Sequence, residues 1–222
     1  YSFDILKKEK PKSIIVFCGS GNNAGDGYLL ATLAVESGMK AKVMIIDPKD
    51  NLQGDAEKAR NRFTKVGGEI EVWSSDLELT CDWIVDAIFG IGINRDLDIA
   101  HQNAIHSINQ SKSKVLSIDI PSGLCGNTGK IFGKAVSADI TTTYVGKKLG
   151  LYLNSGPNYT GIIYFSDLNI DEHFYSDSHP QIQIVSDTDM NKILIRRNQT
   201  SHKGDHGHIL LIGGNNGMEG AI

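Results

Sequence analysis

The chain has 222 residues, 40% of them hydrophobic and 22% charged, a balance typical of a globular protein that can bury a sizeable core. Its net charge of −4 and pI near 6.0 provide no general attraction to nucleic acid or to an anionic membrane, so we expect neither as a partner. No apolar run is long enough to span a bilayer, and three scattered cysteines without a CxxC spacing favour a reducing, cytoplasmic compartment over a disulfide framework or a zinc site.

Short β-branched runs alternate with helix-like segments along most of the chain. The predicted strands are 13–18, 41–46, 69–73, 83–88, 114–119, 140–145 and 161–168. The predicted helices are 25–37, 53–66 and 98–111. Several strands are apolar without alternation, as expected where a parallel sheet is buried on both faces. The order of elements predicts a Rossmann-like, three-layer α/β/α fold with a mostly parallel central sheet.

The pattern changes after Asp171. The polar residues 176–200 include Pro180 and predict a linker that carries a short helix at 187–195. A strand candidate, HILLIG (208–213), then leads into a second glycine-rich turn. We therefore assign 1–175 to a first domain, 176–200 to the linker, and 201–222 to the start of a second domain.

The stretch GSGNNAGDG lies between the first strand and the helix that follows it. Gly19, Gly21 and Ala24 match the dinucleotide-binding pattern G-x-G-x-x-G/A, and Asp47 closes the next strand about 20 residues further on. This pattern predicts a pyrophosphate at the N-terminus of the helix. A tight turn that needs positive φ is the alternative.

Polar side chains distinguish this stretch from a plain dinucleotide turn. Asn22, Asn23 and Asp26 add amide and carboxylate oxygens where the usual pattern leaves bare backbone. A carboxylate repels a phosphate, whereas these oxygens suit a hard cation or a sugar hydroxyl. The turn therefore indicates a second binding role besides that of holding phosphate.

Two later strand ends also carry polar groups, in the stretches VDAIFGIGINRD and SIDIPSGLCGNTG. Asp86 is a candidate cation ligand and Arg95 a candidate phosphate contact. Asp119 is placed for general acid–base chemistry, with the hydroxyl of Ser122 nearby. Turn-capping aspartates and a solvated arginine are the alternatives. Because the carboxyl ends of parallel strands meet at one edge, we expect all these groups to converge there.

Other polar residues give weaker indications. His101 and His106 are five positions apart, a poor metal spacing on a helix, so we interpret them as exposed or satisfied histidines. Lys147 and Lys148 are either contacts for an anionic ligand or solvated side chains.

Four stretches, FCGSGNNAGDGYLLATLA, VDAIFGIGINRD, SIDIPSGLCGNTG and KKLGLYLNSGPNYTG, resemble the successive signatures of NAD(P)H-hydrate epimerases. The tail, SHKGDHGHILLIGGNNGMEGA, resembles the start of an ADP-dependent NAD(P)H-hydrate dehydratase, a ribokinase-like α/β domain. The two are fused in this order in many bacteria, so the chain resembles a segment of a bifunctional repair protein. The resemblance implies epimerisation of the R and S forms of NADHX and NADPHX, hydrated cofactors with a hydroxyl at C6 of the nicotinamide ring.

The resemblance also implies roles for individual residues. Asp119 binds substrate and is the catalytic candidate. The resemblance implies a bound potassium ion with three side-chain ligands, Asn23, Asp86 and Ser122. We infer from the balance of charges that this ion offsets nearby carboxylates, so that anionic phosphates can approach. ADP belongs to the incomplete dehydratase domain. The implied substrate contacts are Asn22, Asn23, Ala24, Gly25, Asp26, Gly90, Ile91, Gly92, Ile93, Asn94, Arg95, Asp96 and Asp119, with 90–96 around the phosphates.

The sequence departs from the family pattern at three points. Ala24 replaces a glycine that the family usually has. The Glu-Asn-Ala-Gly-like signature of the family's first helix does not occur, so we expect no helix before the first strand. The Gly-x-Gly-Asp-type loop of the dehydratase does not occur either, so we expect no dehydratase activity from these residues alone. Homo-oligomerisation is left open.

Two other functions compete with the epimerase. The same domain occurs in decapping-enhancer proteins as a binding or scaffold module that dimerises, but the retained Asp86, Asp119 and Ser122 argue against a lost active site. An NAD-dependent dehydrogenase fits Asp47 and the glycine pattern, although we see no His–Asp or Tyr–Lys pair placed for hydride transfer. The epimerase is the function we favour, because it rests on site residues rather than on fold alone.

Overall fold

The computed structural model describes residues 1–48, 52–175, 182–194 and 198–214, and it divides the chain into two compact units, Tyr1–Ser178 and His179–Ile222. The elements of the first unit are α1 (Ser2–Lys8), β1 (Ser13–Cys18), α2 (Asn22–Glu36), β2 (Lys40–Ile45), α3 (Gly54–Lys65), β3 (Glu69–Val72), β4 (Trp83–Ala87), α4 (Ile99–Gln110), β5 (Lys114–Ile118), β6 (Ile140–Tyr144) and β7 (Ile162–Ser166). No helix in the described residues is long and apolar enough to cross a membrane.

The seven strands form one sheet in the order β3-β2-β1-β4-β5-β6-β7, and every pair of neighbours is parallel. This confirms the predicted Rossmann-like α/β fold. All seven strands were predicted to within a few residues. The central strands β1, β4 and β5, which are buried on both faces, appear in the sequence as short apolar runs. The strand order reverses between β1 and β4, the point at which open parallel sheets bind ligands.

Helices cover both faces of the sheet, as alternate side chains of each strand require. On one face, α2 and α3 pack through Tyr28 and Phe63, whose ring centroids are 6.1 Å apart. On the other face, α4 buries Ile105 and Ile108. The three layers leave the carboxyl edge of the sheet open to solvent and available for a ligand.

The turn after β1 holds α2 close against the sheet. A Cβ at Gly19 would collide with the main-chain oxygen of Ile88, and a Cβ at Gly27 would lie 2.5 Å from the Cβ of Ala87. Neither glycine has positive φ, so the alternative of a turn that needs positive φ is wrong. Helix α2 also begins at Asn22, three residues before the predicted start at 25, because Gly21 is its N-cap.

A helix precedes β1, although we expected none. Helix α1 is seven residues long and buries Ile5 and Leu6 in the core, which anchors it to the same face as α2. The Ser2 hydroxyl lies 2.5 Å from Thr142 Oγ1 on β6. The expectation was wrong because it relied on the absence of one family signature, and two helical turns are too few for a clear period.

The second unit contains one α-helix in its described residues, α5 (Asp187–Ile193), at the predicted position. Ser186 and Asp189 form a capping box at its start. The predicted strand at 208–213 is wrong: these residues have no regular structure and are exposed, and no other strand is described in this unit to pair with them. The glycine-rich turn beyond 214 lies outside the described residues. The division into linker and second domain remains a prediction.

Candidate functional site

A cavity of about 1520 Å³ lies at the carboxyl edge of the sheet, within the first unit. Its walls come mainly from the segments that follow β1, β4, β5 and β6, four strands that are neighbours in the sheet and include the point where the strand order reverses. Tyr1, Ser2 and Phe3 of the unexpected helix α1 line one side. The predicted convergence of strand ends therefore forms one concave site large enough for a small-molecule ligand.

Most of the predicted substrate contacts line this cavity. They are Asn22, Asn23, Asp26, Gly90, Ile91, Gly92, Ile93, Asn94, Arg95, Asp96 and Asp119, and Asp47 joins them. Two predicted contacts do not line it. Ala24 is fully buried in the core, and a Cβ at Gly25 would lie 3.0 Å from the Cα of Ala56 on α3. Both residues are buried, so their role as substrate contacts stays a prediction.

The Asp86 carboxylate lies fully buried on β4 beneath the cavity and accepts four hydrogen bonds. Ser122 donates twice, from its hydroxyl at 2.5 Å and from its main-chain N–H at 2.8 Å. Ser117 Oγ donates at 2.8 Å, and the N–H of Ile88 donates at 3.3 Å. The two main-chain contacts mean that the alternative role for Asp86, turn capping, is also realised in the structure.

The three predicted cation ligands belong to one hydrogen-bond network. The main chain of Phe89 links them: its carbonyl accepts from Asn23 Nδ2 at 3.0 Å, and its N–H donates to Ser122 Oγ at 2.9 Å. Ser122 in turn contacts Asp86. Among the described residues, no donor reaches the amide oxygen of Asn23. Residues that are distant in the sequence are thus brought together around one loop.

Burial raises the pKa of the Asp86 carboxyl, although its hydrogen bonds act in the opposite direction. No basic side chain in the described parts of the chain forms an ion pair with Asp86, so its charge has no internal counterion. The pKa of the Cys18 thiol is also raised. Burial of the thiol is the larger cause, and the negative charge of Asp86 adds to it. A buried carboxylate without a counterion is unfavourable unless a cation or a proton neutralises it.

Asp119 follows the last residue of β5 and has a left-handed backbone, with φ of 69°. Its N–H donates to the carbonyl of Thr142 on β6 at 2.6 Å. The carboxylate oxygen Oδ1 forms an ion pair with Lys148 Nζ, and Thr143 Oγ1 lies 3.5 Å from the same oxygen. No main-chain N–H of the described residues bonds to this carboxylate, so the alternative of an Asx-type turn is wrong.

Asp26 is exposed at the mouth of the cavity, on the first turns of α2. Its pKa is raised by partial desolvation in the cavity and then by the negative charge of Asp119. The same two carboxylates contribute, after burial, to a raised pKa of the Tyr144 hydroxyl. Asp26 and Asp119 therefore place two carboxylates in the cavity, and Asp119 is the one that is paired with Lys148.

The loop that follows β4 begins beside Asp119 and provides donors to the cavity. None of the main-chain N–H groups of residues 90–96 donates to an acceptor in the described residues. Ile91 is 63% exposed, and Arg95 is exposed and forms no ion pair with any described side chain. Consecutive unpaired amides beside an arginine are suited to an anion such as a phosphate.

Two side chains in the cavity wall, His101 and Lys148, make contacts that the sequence did not indicate. His101 is only 12% exposed, its Nδ1 lies 2.8 Å from Asp98, and its ring packs on Phe89 at 4.8 Å. A His–Asp pair therefore exists where we expected none, and its signal was an aspartate three residues before a histidine. Lys148 contacts the main-chain carbonyl of Tyr144 at 2.8 Å, whereas the Tyr144 hydroxyl bonds to Ser2, so these two residues do not form the Tyr–Lys pair of a dehydrogenase.

A comparison with models of protein families shows which family this chain belongs to. A family model described as YjeF-related protein N-terminus matches residues 3–150, about two thirds of the chain. This chain belongs to that family. A crystal structure titled yeast ynu0, YNL200c, aligns with a TM-score of 0.67 over 84% of this chain and 83% of that one. At 16% identity, this likeness shows a shared fold only.

Several curated proteins are similar to this YjeF-related chain. A bifunctional NAD(P)H-hydrate repair enzyme Nnr from Coxiella burnetii is 35% identical over 95% of this chain and 43% of its own length. The protein of the same name from Escherichia coli K12 is 35% identical over 100% of this chain and 43% of its own length. The chain thus spans about two fifths of these relatives. The similarity continues beyond residue 150 into the second unit.

Proposed function

We propose that this chain catalyses epimerisation of the R and S forms of NADHX and NADPHX at C6 of the nicotinamide ring, as a step in the repair of hydrated cofactors. One observation supports the proposal most directly. A single cavity combines a carboxylate at a strand end, Asp119, with a row of unpaired main-chain amides at 90–96. The relatives, which are named NAD(P)H-hydrate repair enzymes, agree with it.

The two ends of the cavity suit the two parts of such a substrate. The amides of the loop after Gly90 and the guanidinium of Arg95 bind the pyrophosphate. The nicotinamide end then lies towards Asn23, Asp26 and Asp119. The phosphates meet amide and guanidinium donors, while the Asp119 carboxylate near Gly90 is already paired with Lys148.

The reaction needs only proton movement and no oxidant or reductant. C6 is a hemiaminal carbon, so its C–O bond can break while the ring nitrogen lone pair forms a C=N bond. In its protonated form, with Oδ1 still accepting from Lys148, Asp119 gives a proton from Oδ2 to the departing hydroxyl, which leaves as water, and the carboxylate so formed stabilises the ring cation. Water then adds to the opposite face of C6 and returns a proton to Asp119. Opening of the C6–N bond to an aldehyde, followed by reclosure, gives the same product.

A potassium ion fits the residues beneath this end of the cavity. Asn23, Asp86 and Ser122 would hold it, and all three present oxygen, the donor that hard cations prefer. The fit rests on the fully buried carboxylate of Asp86, which has no counterion among the described residues. The described residues contain no group of three or more His, Cys, Asp or Glu that could hold a metal ion, and the proposed ligand set has one carboxylate with an amide and a hydroxyl oxygen. The ion would supply positive charge beside the substrate.

The remaining residues extend the proposal to a longer protein. Residues 201–222 are the start of an ADP-dependent NAD(P)H-hydrate dehydratase domain, as their resemblance and the bifunctional relatives suggest. We expect no ADP-dependent dehydration from the 222 residues alone, since the catalytic loop of that domain does not occur in them. The sparse cysteines support a cytoplasmic location.

The test follows a single purified epimer of NADHX by chromatography or NMR, against a buffer blank because equilibration also proceeds without a catalyst. We expect the wild-type chain to accelerate equilibration in KCl, and Asp119→Asn to lose most of that acceleration. Asp76→Asn makes the same chemical change at an exposed position outside the cavity and should retain it. Replacing KCl by tetramethylammonium chloride at equal ionic strength should lower the rate. A folded wild-type chain with no effect in KCl would instead favour the scaffold module.

A further inference from the structure

Lys148 is the basic side chain that contacts Asp119 in the cavity wall. Its ammonium forms an ion pair with Asp119 Oδ1 and also donates to the carbonyl of Tyr144 at 2.8 Å. Both charged side chains are largely buried, with 16% of Lys148 and 17% of Asp119 exposed. The neighbouring Lys147 differs, since its ammonium lies 5.5 Å from the ring centroid of Phe165. The sequence presents two adjacent lysines, and only one of them reaches the carboxylate.

The contact makes the two oxygens of the Asp119 carboxylate unequal. Lys148 and Thr143 both approach Oδ1. No described donor bonds to Oδ2. A Cβ placed on Gly90 would lie 3.8 Å from Oδ2 and 3.6 Å from the Cβ of Asn23, so Oδ2 faces the space between these residues. Of the two oxygens, Oδ2 is the one free to meet a ligand.

The orientation of Asp119 is set from the adjacent strand and the segment after it. Its N–H is held by Thr142 on β6, and its Oδ1 is held by Lys148, which is itself fixed to the carbonyl of Tyr144 at the end of β6. A carboxylate restrained at both its backbone and one oxygen has little freedom to rotate. Such restraint matters in catalysis because a shift of about 1 Å can cost about 100-fold in rate.

We propose that Lys148 is a positioning residue of the epimerase site: it holds Asp119 Oδ1 so that Oδ2 alone exchanges the proton with the C6 hydroxyl and with the incoming water. This inference rests on the proposed epimerase function. Lys148 takes no proton in the reaction, and the proton leaves from and returns to Oδ2. The competing role for Lys148 is direct contact with a substrate phosphate, which would act on binding rather than on the chemical step.

The two roles predict different kinetics. If Lys148 acts through Asp119, Lys148→Met should lower kcat about 100-fold with little change in KM, because the lost interaction serves the transition state. Lys148→Arg, which keeps the charge, should recover part of the loss. If Lys148 binds a phosphate instead, KM should rise while kcat stays unchanged. Lys65→Met removes one positive charge from an exposed position on α3, outside the cavity, and is the matched control.

The deciding experiment is a double-mutant cycle on the rate of NADHX epimerisation by Asp119→Asn, Lys148→Met and the combined variant. We expect the combined variant to be no slower than Asp119→Asn, because Lys148 has nothing to position once the carboxylate is gone. Losses that multiply, or a Lys148→Met variant with normal kcat, would overturn the inference while leaving the epimerase in place. An inactive wild-type chain would overturn both. If circular dichroism shows that Lys148→Met is unfolded, the cycle is repeated with Lys148→Gln, which keeps a polar side chain.

Discussion

Ser122 and Ser117 both donate a buried hydroxyl to Asp86, yet their removal should have unequal effects on stability. Ser117 Oγ makes one hydrogen bond, to Asp86 Oδ2 at 2.8 Å. Ser122 Oγ donates to Asp86 Oδ1 at 2.5 Å and also accepts from the N–H of Phe89 at 2.9 Å. Substitution by alanine deletes the same atom in each case. Ser122 Oγ also lies 3.3 Å from the carbonyl of Phe89, so the difference in stability reports its contacts with the main chain of Phe89, chiefly the N–H.

The magnitudes follow from the number and kind of bonds lost. A hydrogen bond to a charged group contributes about 1.5 to 3 kcal/mol, so Ser117→Ala should cost about 2 kcal/mol. Ser122→Ala loses a similar bond and leaves the N–H of Phe89 without an acceptor, for about 1 to 2 kcal/mol more because that group is only partly buried. The difference corresponds to about 2 to 8 °C in Tm for a unit of this size.

Tryptophan fluorescence is a suitable assay, since both tryptophans of the chain, Trp73 and Trp83, lie in the first unit and report its unfolding alone. Urea unfolding of wild type, Ser117→Ala and Ser122→Ala gives the free energies of unfolding. An equal loss in the two variants, or a larger loss for Ser117→Ala, would show that the bond to Phe89 contributes nothing and would refute the network as we describe it.

Three further predictions concern the cavity and its supporting turn. Gly90→Ala adds a methyl group 3.8 Å from Asp119 Oδ2 without a collision, so Tm should hold while kcat/KM for NADHX falls about 10- to 100-fold; an unchanged kcat/KM would contradict this position for Oδ2. Asp26→Asn should raise Tm at pH 7, because the raised pKa of Asp26 means that its ionisation is less favourable in the folded protein than in the unfolded one. This gain in Tm should vanish as the pH falls below about 4, where the aspartate is protonated in both the folded and the unfolded protein. Gly27→Ala should lower the free energy of unfolding in urea by about 1 to 3 kcal/mol, because its Cβ would lie 2.5 Å from a side-chain carbon of the sheet; a neutral result would contradict this packing.

The sheet could be predicted from the sequence because its signal is local. Each strand buried on both faces is a short apolar run between turn residues, and the alternation with helices indicates parallel pairing. Elements without such a local signal were either missed or wrongly predicted. Helix α1 is two turns long and is held by contacts to β6, more than 130 positions away in the chain. The apolar run at 208–213 looks like a strand, but a strand needs a partner for its main-chain groups.

The site was predictable for a topological reason. Parallel strands end at one edge, so polar residues placed after β1, β4 and β5 had to converge, and the cavity contains most of them. What the sequence did not reveal is which groups pair. The ion pair between Asp119 and Lys148 and the position of His101 in the cavity wall depend on loop conformations that no spacing encodes.

The glycine-rich turn shows how a motif can match while its residues serve other purposes. In the dinucleotide pattern, the third small residue permits close packing of helix on strand. Ala24 occupies that position by sequence, yet the glycine that lets α2 approach the sheet is Gly27. Gly21, the second position, has open space around it and serves as the N-cap. With the N-cap at Gly21, Asn23 falls in the first turn of α2, where its amide reaches the Phe89 carbonyl of the neighbouring loop. The pattern match alone would have left Asn23 in a phosphate loop; the position of the helix start makes it part of the network around Asp86.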